Sequence, residues 1–173
     1  MTLNIPMGPP QGVVILLAIQ RLAELRVANR NTARLLAQGG QEVGAAHYPL
    51  FILLHSAWLA ALFFGIPADA PVVWPLAALL IPLQLARYWV IRTLGPYWTT
   101  RIITLPRAPL IDGGPFRLLR HPNYCVVVAE IAAVPLAFGA WRLALAFSLA
   151  NALLLAHRIR VEEAALAPRR RTA

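Results

Sequence analysis

Two polar clusters in the second half of the chain combine residue types that bind polar ligands. The first is Arg120-His121-Pro122-Asn123-Tyr124 and the second is Glu162-Glu163. Arginine and histidine donate hydrogen bonds to carboxylates, and carboxylates accept them from hydroxyl or ammonium groups. Pro122 suits the first turn of a helix, where its missing N–H breaks no hydrogen bond, so His121 should lie at a helix N-terminus with free backbone donors beside it. The pattern predicts a site for a polar ligand.

The spacing between the two clusters predicts that they lie together. The stretch 125–161 comprises 37 mostly apolar residues and is broken only at Gly139-Ala140. So short a break allows only a tight turn between two antiparallel helices. Such a hairpin returns Glu162-Glu163 to the end of the helix pair at which Arg120-His121 lies.

Several polar residues fall inside apolar segments, where burial of a charge is costly and a functional or paired role is expected. Arg21 and Glu24 are three residues apart on one helical face, which favours a local ion pair. Glu130 either pairs with an arginine of another helix or lines a polar cavity. His55 either contacts a substrate or packs as a hydrogen-bonded core residue. The full set is Arg21, Glu24, His55, Gln84, Arg87, Glu130 and Asn151.

The composition predicts a membrane protein. The chain has 173 residues, of which 59% are hydrophobic, and its mean hydropathy of +0.62 exceeds that of ordinary soluble domains. Its net charge of +9 comes from arginines separated by apolar runs, which argues against a nucleic-acid-binding module. The single cysteine rules out an internal disulfide framework, and the four histidines lack zinc-ligand spacing, so no metal site is expected.

Five apolar segments predict an all-α integral membrane protein with about five transmembrane helices. They make a single membrane domain over 1–173, in which 1–91 supplies three helices and 92–173 supplies a long loop, a helical hairpin and a tail. The brief connections predict that helices two and three form a hairpin and that the last two form a tight one. The segments are about 12–28, 48–66, 71–91, 122–138 and 141–156.

The arginines predict the orientation. With five spans, 13 of the 16 arginines fall on one side of the membrane. Lys and Arg accumulate in cytoplasmic loops, so the N-terminus should lie outside and the C-terminus and both clusters should face the cytoplasm. The arginines concerned are Arg26, Arg30, Arg34, Arg92, Arg101, Arg107, Arg117, Arg120, Arg158, Arg160 and Arg169–Arg171.

The longest connection, 92–120, is punctuated by glycine and proline but is also rich in apolar and aromatic residues. Such side chains seek an apolar surface, which argues against disorder. We expect this segment to fold back against the membrane face and cap a pocket.

The paired clusters resemble the signature of the isoprenylcysteine carboxyl methyltransferase family, Arg-His-Pro-x-Tyr followed after a helical hairpin by Glu-Glu. The runs Leu94 to Ile102 and Gly114 to Arg117 are similar to a bacterial branch associated with O-methylation of alkylpyrones or alkylresorcinols from type III polyketide synthases. One departure is Val126, where many members have glycine, and this weakens transfer of the prenylcysteine substrate.

The resemblance implies S-adenosylmethionine as cofactor, a bacterial inner-membrane location and a functional link to a type III polyketide synthase. It also implies which residues surround the cofactor: Arg120, His121, Pro122, Tyr124, Glu162 and Glu163.

Methyl transfer from a sulfonium is an in-line displacement that requires alignment and exclusion of water rather than a covalent nucleophile. A carboxylate or an acidic enol arrives ionised, whereas a phenol benefits from a base. We expect Arg101 or Arg117 to hold an anionic head group while the alkyl tail enters from the bilayer, with Glu130 as a further catalytic candidate. The alternatives are an NADPH-dependent reductase of the sterol-reductase type and a non-enzymatic transporter or scaffold.

Overall fold

The computed structural model describes residues 7–106 and 108–170, with side chains up to residue 167. Arg107 and Arg169–Arg171, which the charge pattern assigns to the cytoplasmic side, therefore lie wholly or by their side chains outside the described residues. Within these limits the chain forms five helices and one two-stranded antiparallel sheet. The elements are α1 (Pro9–Ala37), β1 (Gln41–Val43), α2 (Tyr48–Gly65), α3 (Trp74–Leu94), β2 (Ile102–Thr104), α4 (Pro122–Leu136) and α5 (Trp141–Arg170).

The helices lie where the apolar segments predict them, and three are long and apolar enough to cross a membrane: Ala45–Gly65, Trp74–Tyr97 and Trp141–Ala167. The helix α4 has 15 residues, about 22 Å of helix, which is shorter than the hydrocarbon core of about 30 Å. The fold is thus a helical membrane protein, and five full crossings and their orientation stay predictions. Large apolar side chains are exposed along α2, α3 and α5, as lipid contact requires.

Proline begins four of the five helices and explains their N-terminal boundaries. The first or second position is proline in α1, α2, α3 and α4, where the fixed φ suits a helix and no backbone hydrogen bond is lost. In α1 the start is also fixed by Gln11, whose Nε2 donates to the carbonyls of Phe63 and Ile66 at 3.1 and 2.9 Å. The N-terminal end of α1 is therefore tied to the C-terminal end of α2.

Two helices extend beyond their predicted spans. Arg26, Arg30 and Arg34 lie on the last turns of α1 rather than in a loop, and Glu162-Glu163 lies within α5 rather than after it. Good helix formers follow both apolar runs without an immediate proline or glycine, so the helices continue past the apolar region.

The short helix α4 packs between α3 and α5, and seven of its 15 residues are buried. Trp58 and Leu62 of α2 meet Ile131 and Val134 of α4 in the main core cluster. The predicted hairpin of helices two and three is wrong, because α2 packs on α1 and α5 whereas α3 packs on α4. The segment 66–73 is long enough to separate them.

The hairpin of α4 and α5 confirms the tight turn expected at Gly139-Ala140. Gly139 has a φ of 71°, the left-handed conformation that glycine adopts without a Cβ clash at the end of a helix. At the opposite end of the molecule, β1 pairs with β2 so that Glu42 lies opposite Ile103. This small sheet, which the all-α prediction did not include, draws the segment after α3 back over the helices.

Candidate functional site

A cavity of about 770 Å³ lies among α1, α2, α4, α5 and the segment after α3. The segment 92–120 supplies much of its wall, which confirms that this connection folds back over a pocket. Much of the lining is apolar, and polar side chains gather in two places: around the clusters of Arg120-His121 and Glu162, and deeper among the helices. Apolar lining residues include Leu22, Leu25, Ile52, Leu59, Val127 and Leu155.

The first polar group is centred on Tyr124 of α4. Its hydroxyl donates to the Glu162 carboxylate and accepts a hydrogen bond from Arg158 Nε at 2.8 Å. Arg158 also donates from Nη2 to the Thr100 carbonyl at 2.8 Å. Arg158 is 8% exposed, and its two bonds fix the segment after α3 against the α4–α5 hairpin.

His121 extends this group toward the protein surface. Its ring stacks on Tyr124 with centroids 5.3 Å apart, and its Nε2 lies 3.4 Å from Glu163 Oε1. Arg120 Nη1 is 3.8 Å from the same carboxylate oxygen. The hairpin therefore brings the two predicted clusters together. Arg120, His121, Pro122, Tyr124 and Glu162 line the cavity, whereas Glu163 lies behind His121 and outside the lining.

An adjoining part of the wall includes Tyr48 at the start of α2. Its hydroxyl is 3.0 Å from Thr100 Oγ1, and the Arg101 guanidinium lies 4.7 Å from the centre of its ring. Arg101 also bonds both oxygens of Glu42 at 3.1 and 2.9 Å. Because Glu42 and Arg101 come from the strands β1 and β2 or their ends, the small sheet positions this cation at the cavity.

The second polar group lies between helices α1, α3 and α4. Glu130 is 1% exposed and bonds to Arg21, Gln84 and Arg87. Of the two sequence interpretations of Glu130, pairing with arginines of other helices is confirmed, and its side chain does not line the cavity. A catalytic role is therefore not supported, because its carboxylate is occupied by three partners.

The expected pair of Arg21 and Glu24 is also confirmed, at 2.9 Å. Arg21 reaches Glu130 as well, so the pair belongs to a larger network and not to α1 alone. Arg21, Glu24 and Arg87 face the cavity, which gives its membrane end a charged wall.

Arg117 is not brought to the site. It ends the single helical turn Gly114–Arg117, in which Pro115 is buried and Arg117 points outward and is exposed. The structure therefore does not support Arg117 as a contact for a head group in the cavity, because Arg117 is not among the lining residues.

The sequence reasoning missed Arg158 and Tyr48 as site residues. Arg158 entered only as one of the arginines that set the orientation. Its position four residues before Glu162 places both side chains on one face of a helix, and that spacing is the signal that identifies it.

Comparisons with known proteins agree with these features. The sequence model of the isoprenylcysteine carboxyl methyltransferase family matches residues 76–168, which include α3, the segment after it and both polar clusters. The "Uncharacterized protein YpbQ" of Bacillus subtilis is 38% identical over 158 residues, which cover 89% of this chain and 94% of the relative. An "Uncharacterized protein" of Haemophilus influenzae is 28% identical, covering 84% and 88%. No solved structure matches the chain.

Proposed function

The chain belongs to the isoprenylcysteine carboxyl methyltransferase family, and on that premise we propose that it uses S-adenosylmethionine to methylate an oxygen of a lipophilic small molecule. Family membership and the apolar helices make it a membrane methyltransferase in general terms. The proposed acceptor is an alkylpyrone or alkylresorcinol of the polyketide type, or a prenylcysteine-type carboxylate.

The observation that supports this proposal is that one cavity has both a polar and an apolar region. Tyr124, Arg158 and Glu162 form a hydrogen-bonded group at one place on its wall, while leucine, isoleucine and valine side chains of the helices line much of the remainder. A polar cofactor and an apolar acceptor can therefore meet in a single chamber, as methyl transfer between them requires.

The residues at the polar end fit the cofactor. Asn123 Oδ1 and Trp98 Nε1 are buried and have no hydrogen-bond partner among the described residues, and both side chains line the cavity. Buried polar atoms are normally paired, so an acceptor and a donor are left for a ligand. Arg120, His121 and Arg158 supply positive or donor groups for a carboxylate, and Glu162 supplies an acceptor for an ammonium or hydroxyl group.

When bound, S-adenosylmethionine supplies a methyl group on a positively charged sulfur. The chain's own contribution is to orient the two reactants and to exclude water. Pro122 starts α4 so that His121 and Tyr124 face the cavity, and Arg158 fixes the covering segment through Thr100. Tyr124 and His121 present stacked rings to the site, and aromatic faces attract cations.

Arg101 is the proposed contact for an anionic acceptor, because it lines the cavity and keeps 38% of its side-chain surface exposed while paired with Glu42. We assign no such contact to Arg117. The acceptor's alkyl chain is proposed to enter from the bilayer between the helices, in a bacterial inner membrane with the polar end of the cavity toward the cytoplasm. A type III polyketide synthase is the proposed functional partner.

Calorimetric titration of the purified protein in detergent with S-adenosylmethionine and separately with NADPH tests the cofactor. We expect binding of S-adenosylmethionine alone, and weakened binding in Arg158→Gln but not in Arg160→Gln, whose exposed side chain lies two residues away on the same helix. Binding of NADPH instead favours a reductase, and binding of neither favours a transporter or scaffold.

Incubation with methyl-labelled S-adenosylmethionine and a panel of alkylpyrones, alkylresorcinols and farnesylcysteine then identifies the acceptor. Transfer of label to none of these lipophilic acceptors, by protein that binds the cofactor, contradicts the proposed acceptor classes.

A further inference from the structure

His55 of α2 lies on the wall of the cavity, away from the Tyr124 group. Its Nδ1 is 2.9 Å from the carbonyl oxygen of Phe51, one helical turn earlier. A carbonyl oxygen only accepts hydrogen bonds, so Nδ1 must carry the hydrogen. This fixes the tautomer of the neutral ring and leaves the lone pair on Nε2.

The lone pair of Nε2 is available to a ligand. No described residue forms a hydrogen bond with Nε2, and the side chain is only partly buried. His55 and Ser56 both line the cavity beside apolar side chains. A proton acceptor must face a space that the substrate hydroxyl can enter, and the position of His55 in the cavity wall meets this requirement.

Charged groups of three helices surround this position. Arg21 of α1, Arg87 of α3 and Glu130 of α4 interact electrostatically with His55, and Glu24 of α1 lines the same cavity. Arg21 and Arg87 line the cavity while paired with Glu24 and Glu130. The wall beside His55 is therefore polar and close to neutral, and it can accept the polar head of an acceptor.

We propose that His55 is the general base of the methyl transfer and that the acceptor is a weakly acidic hydroxyl compound, a phenol or an enol with an alkyl chain. This rests on the proposed function, and it narrows the acceptor, because a carboxylate arrives ionised and needs no base. The acceptor O–H bond breaks and its proton forms a bond to His55 Nε2. The oxygen electron pair forms the new O–C bond, and the S–C bond breaks with its electron pair left on sulfur.

The charges balance in this step, since the positive charge lost from sulfur reappears on the His55 ring. The ring returns to the neutral tautomer when its proton passes to water after the products leave.

The test compares His55→Asn with the wild-type protein. Asparagine places an N–H donor close to the position of Nδ1, so the bond to Phe51 is retained while Nε2 is removed. His157→Asn is the matched control, because His157 is exposed and lies outside the cavity lining. The acceptors are long-chain alkylphenols with ring substituents of graded acidity, up to a nitrophenol.

We expect His55→Asn to lower kcat about 100-fold or more for the least acidic phenol, the usual scale of general-base catalysis. The loss should shrink steadily toward the nitrophenol, which ionises without help, and the affinity for S-adenosylmethionine should not change. A packing role predicts instead an equal loss for every phenol, and either that result or wild-type rates overturns the proposal.

A second readout needs no turnover. The absorbance of the alkylnitrophenol distinguishes its phenol from its phenolate form, so titration without cofactor reports ionisation in the site. At a pH where the free probe is half ionised, the wild-type protein should bind it mainly as phenolate and His55→Asn should not. If His55→Asn does not fold, His55→Gln is used for the same measurement, and equal ionisation in wild type and variant overturns the proposal.

The two proposals fail in different ways. Wild-type protein that does not bind S-adenosylmethionine overturns the proposed function before any variant is made. Wild-type protein that binds it and methylates farnesylcysteine but no phenol overturns only the role of His55.

Discussion

Arg158 Nε donates a hydrogen bond to Tyr124 Oη at 2.8 Å across the hairpin of α4 and α5. The same Tyr124 hydroxyl donates to Glu162, so one phenol joins a cation and an anion on the neighbouring helix. This group of three side chains holds the two helices of the hairpin together, and it also forms the polar end of the cavity. Changes here should therefore affect ligand binding through geometry as well as through lost contacts.

Tyr124→Phe removes the hydroxyl that joins Arg158 and Glu162. We expect about tenfold weaker binding of S-adenosylmethionine, because an unpaired buried polar group costs about 1–3 kcal/mol and the two side chains lose their fixed positions. Calorimetric titration measures the change. Tyr88→Phe is the control, since Tyr88 is 60% exposed and bonds only to Arg92 in the described structure. Equal affinity in both variants contradicts the assignment.

Arg101→Ala should raise KM for an anionic acceptor about tenfold with a smaller change in kcat, because the cation is proposed to bind the head group in ground and transition states alike. Arg117→Ala should leave both constants unchanged, since that side chain is exposed and away from the cavity. Steady-state kinetics with an alkylpyrone acceptor measure KM and kcat separately. An Arg101→Ala protein with wild-type KM argues against head-group binding.

Glu130→Gln should destabilise the fold by about 3–5 kcal/mol, because it leaves Arg21 and Arg87 with an uncompensated buried charge. Unfolding in detergent measures the loss. The double variant Arg87→Met with Glu130→Leu should recover much of it, since the pair of Arg21 and Glu24 at 2.9 Å remains neutral by itself. If Glu130→Gln is as stable as wild type, the ion pairs of Glu130 with Arg21 and Arg87 do not stabilise the fold.

Gln11→Ala should destabilise the fold by about 1–3 kcal/mol at the start of α1, because the carbonyls of Phe63 and Ile66 lose their side-chain donor. Thermal unfolding in detergent measures this change. Gln38→Ala is the control, since Gln38 is exposed just after α1, and it should behave like wild type. A similar unfolding temperature for both variants shows that the bridge contributes nothing.

Single cysteines test the predicted orientation. In a Cys125→Ala background, Asp69→Cys should react with a membrane-impermeant maleimide added outside intact spheroplasts, and Arg117→Cys should react only after lysis. The expectation follows from the concentration of arginines on the cytoplasmic side. The reverse pattern of labelling would show that the orientation is the opposite of the predicted one. Labelling of both cysteine variants in intact spheroplasts would contradict five crossings.

Several features were predictable because they depend on local sequence. Apolar run length predicts the five helices, and Pro122 predicts the start of α4. The break at Gly139-Ala140 predicts a tight antiparallel hairpin, which by geometry alone returns Glu162 to Tyr124. Both clusters of the site therefore follow from spacing along the chain.

Other features depend on contacts between distant residues and have no local signal. The strands β1 and β2 are three residues each, too short to show an alternating pattern. Their pairing nevertheless carries Arg101 to Glu42 and folds the segment 92–120 over the cavity. The same holds for Glu130, whose sequence position left two interpretations open until Arg21 and Arg87 were seen beside it.

The sequence by itself determined the membrane class, the helices and the meeting of Arg120-His121 with Glu162-Glu163, because hydropathy, capping and hairpin length act within short stretches of chain. Only the tertiary structure decided which polar residues face the cavity. It added Arg158 and Tyr48 to the site, placed His55 on the wall, and left Arg117 and Glu130 outside the lining. The physical reason is that the direction of a side chain depends on which helix packs against it, and such partners are far apart in the sequence, as Arg21 and Glu130 are at 109 positions.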